Sequence, residues 1–184
     1  TNTYNQLKYI FENRKTSQKT KFRIFKSHVE SIFTYNCELW TLTKKHEETI
    51  DIFQRKLIRR ILNLNWQDKV SNDKLYKRTN STPWSQTVKQ RRLTWYGHLL
   101  RLPEDTSARK SLKEAKNPCK KRRGGQKLTW LKQIEKDLEK VEFKTAVKNR
   151  DGSFNTVEVK EHEKMAQNRH VWRLIVDRAL HTLA

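Results

Sequence analysis

Apolar residues along this chain recur at intervals of three and four far more often than at intervals of two, so the pattern predicts helices almost throughout. A first short helix is expected over Tyr4 to Asn13. A second begins near Ser17 and runs towards Tyr35, with Phe22, Phe25, Val29, Ile32 and Phe33 on one face. Thr43 has the character of an N-cap, and Glu47 and Glu48 follow where a helix dipole favours acid. The stripe of that third helix is Ile50, Phe53, Leu57, Ile61 and Leu64. Ser71 caps a short helix through Arg78, Thr82 and Pro83 announce the next, and Pro103 stops it.

Beyond Pro103 the periodicity weakens. A short helix is expected up to Ala115, then a basic loop over Asn117 to Gln126 whose glycines loosen it. Leu128, Leu131, Ile134, Leu138 and Val141 mark a further helix, Asp151 to Asn155 a turn, and a last helix reaches Leu180. With four Gly and three Pro in 184 residues, strands joined by tight turns have little to turn on. The expected fold is therefore all-α, one or more multi-helix bundles with a basic loop and no substantial sheet. Two parts are expected, residues 1–80 and residues 81–184, the second carrying the loop at 116–127. There is no internal repeat.

Composition sharpens the picture. Only 34 % of residues are hydrophobic, but six Trp, seven Phe and five Tyr each bring a large buried area, so a thin core can still form. No apolar run approaches the roughly 20 residues needed to span a bilayer, and the N-terminus lacks a secretory core, so an intracellular protein without membrane contact is expected. Cys37 and Cys119 have no close partner, and His162 and His170 lack the spacing of a helical metal pair. No metal, cofactor or disulfide is expected.

Charge is the informative excess. Of the formal +21, the stretch from Arg55 to Lys127 carries +16, with 21 Lys or Arg against 5 Asp or Glu, while the last 34 residues balance five against five. So concentrated a charge repels itself unless anions neutralise it, which makes nucleic acid the leading partner class. Within it, Lys89 to Pro103 combines a basic pair with adjacent aromatics. Val88, Arg92, Trp95, Leu99 and Leu102 fall on the inward stripe there, leaving Lys89, Arg91 and Arg101 in water.

Four ordered blocks carry a resemblance. Y-N-C-E-L-W-T-L at Tyr35 to Leu42 leads to a helix ending R-R-I-L-N-L-N-W-Q-D-K-V. R-R-L-T-W-Y-G-H-L-L-R-L-P follows at Arg91 to Pro103, then R-R-G-G-Q-K-L-T-W at Arg122 to Trp130, then A-Q-N-R-H-V-W-R at Ala166 to Arg173. From about Lys19 to Arg173 the chain resembles the segment downstream of the palm in reverse transcriptases of non-LTR (LINE-type) retrotransposons. Gly125 stands where that family has a proline, and Asn168 where it has an acid. The resemblance implies that residues 1–80 are thumb-like and residues 81–184 the C-terminal connector. It further implies contact with template and primer, as RNA–DNA hybrid, RNA or duplex DNA, beside an upstream palm and within the nucleus.

Two-metal nucleotide transfer needs clustered carboxylates. This chain has seven dispersed Asp and no adjacent pair, so by itself it is expected to be no enzyme. The expected role is a non-catalytic grip on the duplex through backbone phosphates. Arg55, Lys56, Arg59 and Arg60 track one helix face, Lys89, Arg91, Arg92 and Arg101 lie on another, and Lys120, Lys121, Arg122, Arg123 and Lys127 fill the loop. The same side chains also fit a merely solvated face, since exposure is the usual fate of Lys and Arg. The alternative is a helical protein-interaction or ribonucleoprotein scaffold module from a decayed or repurposed element. Trp40, Trp66, Trp95, Trp130 and Trp172 are read as packing anchors rather than base-stacking platforms, Gly97 as a site of close helix packing, and Glu38 as an Arg-paired corner. Cys119 receives no role.

Overall fold

A computed structural model describes residues 2–116, 128–139, 147–148, 154–155 and 162–181. The all-α expectation holds. Among the described residues the only strand pairing is antiparallel and two residues long, Val147–Lys148 against Phe154–Asn155. The chain divides into two compact units. The first comprises Thr1–Cys37 and Leu42–Val88, the second Glu38–Thr41 and Lys89–Ala184.

In the first unit, α1 (Asn2–Gln6) and α2 (Lys8–Glu12) place Tyr4 and Phe11 in the core, their rings stacked with centroids 5.0 Å apart. α3 (Gln18–Ile24) starts where Ser17 Oγ accepts from the Thr20 amide at 3.2 Å. It passes into a π-helical segment, Phe25–Glu30, and then α4 (Ser31–Phe33). The wider π turn rotates the residues after it relative to an ideal α stripe. Phe22, Phe25 and Val29 are buried as expected and Phe33 packs at the core's edge, but Ile32 is left exposed.

α5 (Lys44–Ile61) begins at Thr43, whose hydroxyl accepts from the His46 amide, and buries Gln54, Leu57, Ile58 and Ile61. Leu62 C-caps it, and Asn63 follows with φ 54°, a left-handed turn that asparagine tolerates. The stripe therefore does not continue to Trp66, which is 84 % exposed in a short 3-10 turn. That position corrects its expected part as a packing anchor. α6 (Asn72–Thr79), capped by Ser71, closes at Asn80 with φ 46°.

α7 (Trp84–Arg101) draws bonds for its first amides from α5. Gln54 Oε1 accepts from the Trp84 amide at 2.9 Å, and Asp51 accepts from the Ser85 amide and hydroxyl at 2.9 and 2.6 Å. Two α5 side chains thus satisfy two of the amides that a helix start leaves open. Trp84 itself is fully buried, stacked on Phe33 at 4.1 Å and on Phe25 at 6.1 Å. This aromatic cluster is why the first unit extends to Val88 and not merely to residue 80.

The second unit is built on the rest of α7, with α8 (Ser107–Lys116), α9 (Trp130–Glu139), α10 (His162–Gln167) and α11 (Arg169–His181). The expected last helix is two, broken at Asn168, whose Oδ1 accepts from the His170 and Val171 amides and so starts α11. Leu93, Tyr96, Leu99, Leu100, Leu112, Ile134, Leu138, Trp172, Ile175 and Val176 form the core. Gly97 explains itself here. A Cβ on it would lie 2.0 Å from Nε1 of Trp172, which donates to the Leu93 carbonyl at 2.9 Å.

The four residues 38–41 are tied into this unit from afar. The Glu38 carbonyl accepts from Trp130 Nε1 at 2.7 Å, and the Trp40 carbonyl accepts from Arg92 Nη1 at 2.9 Å.

Candidate nucleic-acid interface

The expected cations separate into three fates. Lys89 and Arg92 are interior. Lys89 Nζ donates to the Ala179 carbonyl at 2.7 Å. Arg92 is 1 % exposed, and its Nε and Nη2 both reach Asp137 Oδ2, at 2.9 and 2.6 Å. With Nη1 on Trp40, the guanidinium is spent on the protein, so neither residue belongs to an interface. Their expected places in water or on phosphate are corrected by an acid and a carbonyl 45 and 90 positions away.

The α5 cluster is half structural. Arg59 donates to Asn72 Oδ1 at 2.8 Å, and Arg55 lies by Tyr76, whose hydroxyl donates to Gln54 Oε1. Burial holds the Tyr76 hydroxyl above its usual range, and the hydrogen bond with Arg55 works against that rise. Lys56 and Arg60, in contrast, are exposed one turn apart. The loop residues Lys120, Lys121, Arg122, Arg123 and Lys127, and Cys119 with them, lie outside the described residues.

A second cationic group in the first unit was not singled out by the sequence. Lys19, Arg23 and Lys26, all exposed on α3 and the π segment, face Arg78 and the end of α6 across a cavity of about 690 Å³. Gln18, Phe22, Ser27, Thr79 and Asn80 complete its lining, which contains no carboxylate. Lys26 Nζ donates to the Asn80 carbonyl at 2.7 Å, which anchors this cation at the helix end. The spacing of Lys19, Arg23 and Lys26, four and three residues apart, was the available signal.

Comparison of the chain with protein-family models, with curated proteins and with solved structures finds no match.

Arg91 and Arg101 are brought together in the second unit. With Glu38, Gln90, Thr94, Trp95, His98 and Arg169 they line a cavity of about 650 Å³. Arg101 is half-buried. Its Nη1 donates to the Ala166 carbonyl at 2.9 Å, while its Nε is buried with no hydrogen-bond partner among the described residues. Burial, and after it the charge of Arg169, pulls the Arg101 guanidinium below its ordinary value. Trp95 and His98 lie with ring centroids 5.2 Å apart. Glu38 lines this cavity with the three arginines, but among the described residues no ion pair of its carboxylate with an arginine is found.

No group of three His, Cys, Asp or Glu suited to a metal occurs among the described residues, and no described helix is long and apolar enough to cross a membrane.

Proposed function

We propose that this chain binds nucleic acid through its phosphates, as the non-catalytic thumb and connector of a LINE-type reverse transcriptase. The observation that carries the reading is the acid-free cavity bearing Lys19, Arg23, Lys26 and Arg78. Four cations held on two helices without a carboxylate in the lining suit a line of phosphates, which a grip on any sequence requires. The exposed Lys56 and Arg60 add to the charge of the same unit.

The motif residues fit such a scaffold role. Gly97, Trp130, Trp172 and the backbone carbonyl of Trp40, spread over the four blocks, are bound up in the second unit. Asn168, standing for an acid in the resembling family, still caps α11, a task asparagine and aspartate perform about equally.

Anisotropy of a labelled RNA–DNA hybrid, titrated at several salt concentrations, tests the proposal. If the four cavity cations each displace a counterion, affinity falls with a log–log slope of about −3 to −4, a loss on the order of 100-fold between 50 and 200 mM salt. Arg23→Gln and Arg78→Gln should each lower that slope by about one. A flat salt response, or slopes indifferent to both changes, would favour the protein-interaction alternative instead.

A further inference from the structure

We infer that the second unit holds a pocket for one unpaired nucleotide, with Arg101 and Arg169 receiving its phosphate and Trp95 its base. This rests on the reading of the chain as a nucleic-acid binder, but not on its grip on a duplex. The eight lining residues all belong to the second unit. A volume of about 650 Å³ lies within the roughly 300–1,000 Å³ typical of small-ligand pockets and suits a mononucleotide better than a lone phosphate.

The chemistry of the walls is mixed in the way a nucleotide is mixed. Arg101 keeps a buried Nε–H without a hydrogen-bond partner among the described residues, beside a second guanidinium at Arg169. An unsatisfied buried donor is costly, and a turn of the guanidinium towards the cavity would let an anion satisfy it. Trp95 supplies an apolar ring face, with the His98 ring tilted 35° to it, and base stacking on such a face tolerates any sequence. Glu38 gives the pocket an acceptor. A carboxylate would weaken a site meant for phosphate alone, but it suits a ligand that also offers an amino group or ribose hydroxyls. Gln90 and Thr94 are further polar groups on the α7 wall.

The test is quenching of tryptophan fluorescence on the full chain by adenosine 5′-monophosphate and, at equal charge, by ribose 5-phosphate in competition. The nucleotide should bind more tightly than the sugar phosphate by on the order of tenfold, the increment expected of one stacked base. Arg169→Gln, at an exposed position where the fold should persist, should weaken the nucleotide about tenfold, as loss of one charge-assisted contact does. Arg78→Gln in the other unit should leave it unchanged.

Equal affinity for nucleotide and sugar phosphate would overturn the pocket as a base-binding site, and indifference to Arg169→Gln would overturn it as a phosphate site. Hybrid binding that survives either result leaves the duplex reading standing while the pocket falls. Nucleotide preference that persists when hybrid binding shows no salt slope leaves the pocket standing while the duplex reading falls.

Discussion

Arg92→Ala separates a cation that holds the fold from one that holds phosphate. In the folded chain Arg92 gives two hydrogen bonds to Asp137 Oδ2 and a third to the Trp40 carbonyl, with side-chain exposures of 1 % and 9 % for the ion pair. Truncation leaves Asp137 buried, retaining among the described residues only Gln133 Nε2 at 3.4 Å on its other oxygen. Removing one member of such a pair costs about 3–5 kcal/mol, because the remaining charge stays out of water. For a unit of this size that corresponds to a fall of at least roughly 10 °C in melting temperature. Scanning calorimetry or thermal circular dichroism would register it, and the salt slope of hybrid binding, measured well below the transition, should hardly change. Replacing both partners, as Arg92→Met with Asp137→Leu, should recover most of the loss, since the cost lies in the orphaned charge more than in the missing attraction. An Arg92→Ala chain that melts like the parent but loses one unit of salt slope would refute the assignment.

Gly97→Ala should destabilise the chain by about 2–4 kcal/mol in urea unfolding, although alanine is favoured over glycine in an open helix by about 1 kcal/mol. The new Cβ must displace the Trp172 indole and break its bond to Leu93, so a stabilised variant would contradict the packing. Burial, and then the charge of Lys116, lowers the His162 pKa, so the unfolded chain takes up that proton more readily than the folded one. This contribution is complete above the ordinary value of 6.5 and is lost as pH falls below it; His162→Gln should flatten the stability curve there and leave it unchanged at higher pH. Glu163 follows in a lower window. The hydrogen bond from Lys116 depresses its carboxyl, so its contribution is complete above the ordinary 4.5, declines as pH falls below it and is gone once the folded value is passed; Lys116→Met should remove most of that pH-dependent loss. Trp66→Ser should shift the unfolding midpoint by less than about 0.5 kcal/mol, as exposed substitutions do, and a larger loss would place the ring in the core.

Local spacing made most of the helices legible. Thr43 and Ser71 cap as read, and Ser17, read only as the start of its helix, caps likewise, because an N-cap needs only its own hydroxyl and the amide three residues on. What spacing cannot carry is partnership at a distance. Arg92 fell on the inward stripe of its helix, yet its burial became intelligible only through Asp137, and the start of α7 depends on Asp51 and Gln54. The π segment hides for a related reason, since one wider turn changes the phase of the residues behind it without any marker residue. Lys19, Arg23 and Lys26 precede the stretch where net charge concentrates, so composition drew attention to Arg55 and beyond. Their importance depends on Arg78 lying opposite, which no linear count reveals.

The strap formed by residues 38–41 has a practical corollary for cutting the chain. A fragment begun at Lys89 would strip the indole of Trp130 and the third arm of Arg92 of their acceptors, so it should dissolve poorly or melt early. The later helices therefore cannot be transplanted on their own; whatever shuffles or truncates this sequence must carry a tetrapeptide from within the earlier half along with them.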